Sequence, residues 1–172
     1  MTLSKTIIQR PSPNRSSRRS VEPNCIIIHD TGGKTAESAL SWFDKSESQV
    51  SSHYVTGADG VIYQCVNEEA AAWHSGRSVL YGEENVNKIS IGIELVDADD
   101  KSEYPDAQIE SLVELVTDIC VRRRIPLNRI VGHQHIAVPP GRKIDPGVDF
   151  PWWEFLLAVG SNVLSLELSS EK

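Results

Sequence analysis

Three side chains far apart in the sequence, His29, His133 and Asp145, are of the types that hold a divalent metal ion. A catalytic zinc takes three nitrogen, oxygen or sulfur ligands from the protein and leaves a fourth position for water. If the trio converges it completes such a site, with one Zn2+ per chain. Lys143 stands just before Asp145 in the irregular run Gly141-Arg142-Lys143-Ile144-Asp145-Pro146-Gly147, where its ammonium could face a negative oxygen developing on a carbonyl. Glu94 lies inside the alternating run Ser90-Ile91-Gly92-Ile93-Glu94-Leu95-Val96. A carboxylate in the middle of a central strand needs a partner or a purpose, and taking a proton from an attacking water is such a purpose.

Each of these residues also has a plainer reading. His29 caps a strand, Asp145 initiates an Asp-Pro-Gly turn, Lys143 is a solvated base, and Glu94 is an ion-paired carboxylate. His133 and His135 stand two apart, so in extended structure both point to one side and both could bind metal. The spacing does not choose between them. His53, at a strand end, and the pair Trp73 and His74, in the polar loop Trp73-His74-Ser75-Gly76, are candidate substrate contacts, an indole wall beside hydrogen-bonding imidazoles. Trp73 fits a packing role equally well.

The elements that must position these groups can be read from the apolar patterning. Cys25-Ile26-Ile27-Ile28 is a continuous apolar run that suits a strand buried on both faces. His29 then sits at its carboxyl end, where sites are commonly assembled. Residues 35–45 have helical spacing of Ala36, Ala39, Leu40 and Phe43, with Thr35 as N-cap. Residues 53–56 and 61–66 flank Gly57-Ala58-Asp59-Gly60 and form a hairpin. In residues 90–96, Ile91, Ile93 and Leu95 share one face while Gly92 and Glu94 share the other, with Gly92 leaving open space beside the carboxylate. Residues 106–124 place Ile109, Leu112, Val113, Val116, Ile119 and Cys120 on one helical stripe, with Asp106 at the start and Arg122, Arg123 and Arg124 at the end, as the helix dipole favours. Residues 129–132 read as a short strand and 151–159 as a last helix, with 160–172 a frayed tail. The prolines at 11, 13 and 23 make residues 1–23 an extended basic arm, so that the fold proper starts at Asn24. Strands interleaved with helices and one hairpin predict an α/β fold, a single-domain mixed β-sheet flanked by helices.

Bulk properties narrow the classes of partner. A chain of 172 residues is long enough for one substantial core and too short for two ordinary domains. A net charge of −7 opposes a nucleic-acid partner, which needs a concentrated basic face. Lys5, Arg10, Arg15, Arg18 and Arg19 make the first twenty residues basic, which reads as a solvated terminus. Cys25, Cys65 and Cys120 are odd in number, lack C-x-x-C spacing and lie in apolar stretches, the pattern of buried free thiols in a reducing compartment. With no apolar signal region and no stretch of membrane-spanning length, a cytoplasmic monomer without a membrane partner is expected, phage lysis or signal-independent export being the alternative.

Several ordered segments together are more specific than any one of them: Ser12-Pro13-Asn14, Ile26-Ile27-Ile28-His29, Ser52-His53-Tyr54, Ala72-Trp73-His74-Ser75-Gly76, residues 90–95, Tyr104-Pro105-Asp106-Ala107-Gln108, Gly132-His133 and residues 141–147. In this order they resemble the zinc-dependent N-acetylmuramoyl-L-alanine amidases of the amidase-2 family, whose fold is shared with the peptidoglycan recognition proteins and the T7-type lysozyme. The resemblance implies a zinc-floored groove with His29, His133 and Asp145 as ligands, Glu94 as catalytic acid/base and Lys143 as transition-state stabiliser. The implied reaction is hydrolysis of the amide joining the lactyl group of N-acetylmuramic acid to L-alanine, in peptidoglycan or a soluble muropeptide. The chain looks closest to the compact members that include the cytoplasmic amidase recycling anhydro-muropeptides. It departs from them at His135, where these proteins usually carry an aspartate, and at Val138-Pro139-Pro140, which lengthens a loop. The rival from another class is a module that binds muropeptides without cutting them; such proteins typically lack the full ligand set that this chain keeps.

Overall fold

The computed structural model describes residues 5–96 and 104–170. In chain order its elements are β1 (Ile7–Gln9), β2 (Arg15–Ser17), β3 (Cys25–Asp30), α1 (Ala36–Phe43), β4 (Tyr54–Thr56), β5 (Ile62–Gln64), β6 (Ala70–Ala72), β7 (Val79–Leu80), β8 (Glu83–Glu84), β9 (Ser90–Leu95), α2 (Asp106–Arg123), β10 (Ile130–Gly132), α3 (His133–Ile136) and α4 (Trp152–Ser170). Strands β1, β5, β4, β9, β3 and β10 form one sheet in that spatial order. The pairs β4–β9, β9–β3 and β3–β10 are parallel, β4–β5 is the antiparallel hairpin, and β1 runs parallel to β5. The sheet is therefore mixed, with its parallel part at the centre.

The apolar run that begins β3 is enclosed on every side: Cys25, Ile26, Ile27 and Ile28 are each 0% exposed. Alternation splits the run between two layers. Ile26 and Ile28 join Ile91, Ile93 and Leu95 of β9 against α2 and α4, through Leu112, Leu115, Ile119, Phe155 and Val159. On the opposite face Ile27 packs with Val86, Ile89 and Ile136, and Val55 packs with Leu40 and Phe43 of α1. Thr35 caps α1 as expected, its side chain accepting from the Ser38 amide. Arg124 ends α2 in a left-handed conformation. Among the described residues no helix is long and apolar enough to cross a membrane. The cysteines at 25, 65 and 120 are all buried and unpaired.

Three expectations need correction. The basic arm is not a solvated lead-in: β1 pairs with β5, β2 pairs antiparallel with β6, and Arg18 is only 3% exposed. The Arg18 guanidinium donates to the carbonyls of Glu68 at 2.7 Å, Lys88 at 2.6 Å and Ser90 at 2.7 Å, so it satisfies backbone acceptors at three places on the chain. Asn14 likewise donates to the carbonyls of Lys45 at 2.9 Å and Val50 at 3.0 Å, tying the segment after α1 to the amino-terminal strands. Prolines prevent long ladders but not such short bridges. The region after 159 is helical rather than frayed, since α4 continues to Ser170 with Phe155 and Val159 buried and Trp153, Leu157, Leu164 and Leu168 exposed. Gly92 does not leave open space: a Cβ there would lie 2.5 Å from the His74 ring, which fills the gap.

Glu68 joins α2 to the hairpin layer. Its carboxylate accepts from Tyr54 Oη at 2.8 Å, from both terminal nitrogens of Arg122 at 2.9 and 3.0 Å, and from Arg123 Nε at 2.9 Å. Burial raises its pKa, and the bonds from Arg122, Arg123 and Tyr54 outweigh that and hold it at about 2. A depressed folded value means stability present above the unfolded value of 4.5 and lost as pH falls through about 2. Denaturant melts should show Glu68→Gln less stable than wild type by on the order of 3 kcal/mol near neutrality. The gap should shrink as pH drops below the unfolded value; one that stays constant down to acid would refute the assignment.

Candidate metal centre and groove

Parallel strands deliver their carboxyl ends to one edge of the sheet, the edge at which open α/β sheets bind ligands. Here His29 of β3 lies directly opposite Glu94 of β9, and Gly132 of β10 lies opposite Ile28. His133 follows Gly132, so three neighbouring strands bring His29, Glu94 and His133 together. After Gly132 the chain turns into the short helix α3, which separates His133 from His135 in direction. His133 is 3% exposed and faces His29; His135 is exposed, accepts from the Gly132 amide at 2.9 Å and meets Trp152 edge-on at 5.7 Å. Extended geometry would have aimed both imidazoles at the metal pocket; the helical turn removes His135 from contention.

The third donor comes from a loop that is tied down. Gln134 N donates to the Asp145 carbonyl at 2.9 Å, and Gly147 N donates to Asp30 Oδ2 at 2.8 Å. Tyr104 Oη donates to the same Asp30 carboxylate at 2.8 Å. Asp30 was missed as a site residue. Its only sequence signal is its place directly after His29, where alternation turns it to the opposite face.

His29 Nδ1 and His133 Nδ1 are 3.0 Å apart, and Asp145 Oδ2 is 3.0 Å from His133 Nδ1 and 3.3 Å from His29 Nδ1. Bonds of about 2.0–2.1 Å to a tetrahedral zinc place its ligand atoms roughly 3.3 Å apart, so this triangle is of the right size. The protons point to a cation as well. His133 Nε2 lies 3.1 Å from the Ser75 carbonyl, which can only accept, so the neutral ring carries its proton there and turns a lone pair on Nδ1 toward the other two donors. Burial pushes His29 down to about 4 even against the nearby Asp145 carboxylate. Acceptor atoms this close repel one another unless positive charge sits between them, and the residues therefore fit a zinc ion.

Glu94 is 8% exposed, and its Oε2 is buried with no hydrogen-bond partner among the described residues. Burial, reinforced by Asp145 and Asp30 and opposed by Lys143, pushes its carboxyl well above the usual range. Glu94, Lys143 and the His-His-Asp trio line one groove of about 400 Å³. Trp42, on the exposed side of α1, lines the same groove and was missed because an exposed helix position carries no functional signal. Trp73 borders an adjoining cavity of about 280 Å³ with Lys143 and Arg142, its indole N–H reaching Ser16 Oγ at 3.3 Å. His53 is not a groove residue. It is 0% exposed, its Nδ1 accepts from the Gly92 amide at 2.9 Å and its Nε2 lies 3.0 Å from the Ala70 carbonyl, so the ring stitches strands together. His74 is 7% exposed beside His29, lines both the groove and the adjoining cavity, and has both ring nitrogens engaged.

Two imidazoles and a carboxylate at metal-ligand spacing form a group that could hold a metal ion, with a buried carboxyl and an ammonium on the same groove. The family model described as N-acetylmuramoyl-L-alanine amidase matches residues 19–148, and the chain belongs to that family. It is 32% identical over 163 residues to the 1,6-anhydro-N-acetylmuramyl-L-alanine amidase AmpD of Citrobacter freundii, covering 84% of this chain and 86% of that protein. Its fold is similar to a crystal structure of a selenomethionine AmpD derivative, with a TM-score of 0.76 at 30% identity over 88% of this chain and 93% of the other. It is also similar to AmiD of E. coli in complex with the substrate anhydro-N-acetylmuramic acid-L-Ala-D-gamma-Glu-L-Lys, with a TM-score of 0.70 at 35% identity over 83% of this chain and 58% of that one.

The raised Glu94 carboxyl has a measurable cost. A folded value above the unfolded 4.5 means stability that is complete below that pH and is lost as pH rises toward the folded value. In chelator-treated protein, Glu94→Gln should therefore melt higher than wild type near neutrality, with the difference closing below the unfolded value. Equal melting of the two proteins across that range would contradict the burial argument.

Proposed function

We propose that the chain is a zinc-dependent amidase that hydrolyses the amide between the lactyl group of N-acetylmuramic acid and L-alanine of the stem peptide, with soluble anhydro-muropeptides as its substrates. The observation that carries the reading is Glu94, a buried carboxyl with an unpartnered oxygen, lining the same groove as the three converging donors. His29, His133 and Asp145 would hold the zinc, which when bound supplies Lewis acidity to a substrate carbonyl and to a water.

The chain's own groups do the rest. In its ionised form the Glu94 carboxylate accepts the proton of the attacking water and hands it to the amide nitrogen as the carbon–nitrogen bond breaks, so that the amine leaves neutral. Lys143 sets its ammonium on the groove, where the carbonyl oxygen becomes negative. Trp42 and Trp73 supply apolar walls that hold the sugar and peptide arms while keeping bulk water from the reacting bond. Relatives whose solved complexes contain anhydromuramyl peptides support the soluble substrate. The reading extends to a monomer in a reducing cytoplasm, in keeping with three buried, unpaired thiols.

Metal analysis and turnover on a purified anhydro-muropeptide test the assignment. Asp145→Ala should lose the zinc, whereas Glu94→Gln should retain it and turn over about a hundredfold more slowly or worse. Near-normal hydrolysis by Glu94→Gln would remove Glu94 from the mechanism. Release of peptide from whole sacculi at the rate seen with the soluble fragment would overturn the substrate assignment while leaving the amidase reading intact.

A further inference from the structure

Behind His29 runs a chain of hydrogen bonds whose direction is fixed at its far end. Ser90 is 0% exposed and its Oγ lies 2.6 Å from the Val86 carbonyl, an atom that can only accept, so the hydroxyl proton belongs to that bond. Ser90 Oγ is then the acceptor in its 3.0 Å contact with His74 Nε2, which must carry the imidazole proton. A neutral imidazole has one N–H, so His74 Nδ1 is bare and accepts from His29 Nε2 at 2.9 Å. The proton of His29 is thus held on the side of His74, and the lone pair of its Nδ1 faces His133 and Asp145.

We propose that His74 is a positioning residue for the metal centre: it accepts the Nε2–H of His29 and so fixes the tautomer that presents Nδ1 to the ion, while Ser90 and the Val86 carbonyl fix His74 in turn. The assignment rests on the metal reading above. Metal-bound histidines commonly lean on a carboxylate, carbonyl or water; here a second imidazole relays the constraint to a hydroxyl and a carbonyl. The rings of His29 and His74 meet at 87°, with centroids 5.0 Å apart. The seat is built for an imidazole. A Cβ at position 92 would fall 2.5–2.7 Å from three His74 ring atoms, so glycine at that point of β9 makes the room. The amides of His74 and Ser75 both donate to Asn87 Oδ1, at 3.1 and 2.9 Å, which fixes the backbone from which the ring extends.

Zinc affinity, read by competition with a chromophoric chelator, separates this role from simple packing. His74→Asn offers an amide oxygen near the place of Nδ1 but loses bulk; His74→Leu keeps bulk and loses the acceptor. His74→Leu should bind zinc about ten- to a hundredfold more weakly, with His74→Asn within roughly threefold of wild type. Ser90→Ala removes a single oxygen and spares the fold; it should weaken zinc binding in the wild-type background and have little further effect in the His74→Asn background. Nitrogen-15 imidazole shifts of the metal-free wild type should show His29 protonated at Nε2, with that preference lost in His74→Leu. Zinc binding by His74→Leu as tight as wild type, or by His74→Asn as weak as His74→Leu, would overturn the assignment alone. A wild-type protein that binds no zinc would overturn the metal reading and this assignment with it.

Discussion

The constraint on which the rest depends is the crowding of electron pairs at one point on the sheet's carboxyl edge. Three acceptor atoms stand 3.0–3.3 Å apart, and the proton of His133 is drawn to the far side of its ring by a backbone carbonyl. An arrangement of this kind stores electrostatic repulsion that folding alone does not relieve, and a cation relieves it. Glu94 belongs to the same constraint. A buried carboxyl oxygen without a partner is costly, and the place of Glu94 opposite His29 turns that cost to chemical use.

The scaffold exists to keep these atoms from moving apart. Strands β9, β3 and β10 are parallel neighbours, so one ladder register sets where Glu94, His29 and His133 lie along the edge. Helices α2 and α4 close the face behind them, and the other face carries the groove. The amino-terminal segment contributes more than its composition promises, because Arg18 donates to the carbonyls of Glu68, Lys88 and Ser90 and Asn14 to that of Val50. Without those side chains, buried backbone acceptors would lose their partners.

The parts of the molecule governed by local periodicity were legible in the sequence. The apolar run at 25–28, the alternation at 90–95 and the stripe of 106–123 each contain their own instructions, and they correspond to β3, β9 and α2. The convergence of His29, His133 and Asp145 was carried by motif order, since no local rule links residues more than a hundred positions apart. What escaped was decided by long-range partners or local backbone turns. Strands β1 and β2 have only three residues each, too few to show a period, and exist because β5 and β6 present free edges to them. His135 was ambiguous because its direction depends on whether 133–136 is extended or helical. His53 looked like a groove residue by type, yet its ring is a strand-to-strand brace.

The dipeptide His29-Asp30 serves two masters on opposite sides of β3: the imidazole turns to the groove, and the carboxylate grips Tyr104 and the Gly147 amide. Because successive side chains in a strand alternate sides, a one-residue insertion or deletion within 25–30 would exchange the two. The donor would then be aimed at the clasp and the clasp at the groove, dismantling both anchorages at a stroke. Length is therefore under tighter control in this hexapeptide than identity is. Evolutionary drift along β3 should thus be written as substitutions and not as changes of its length.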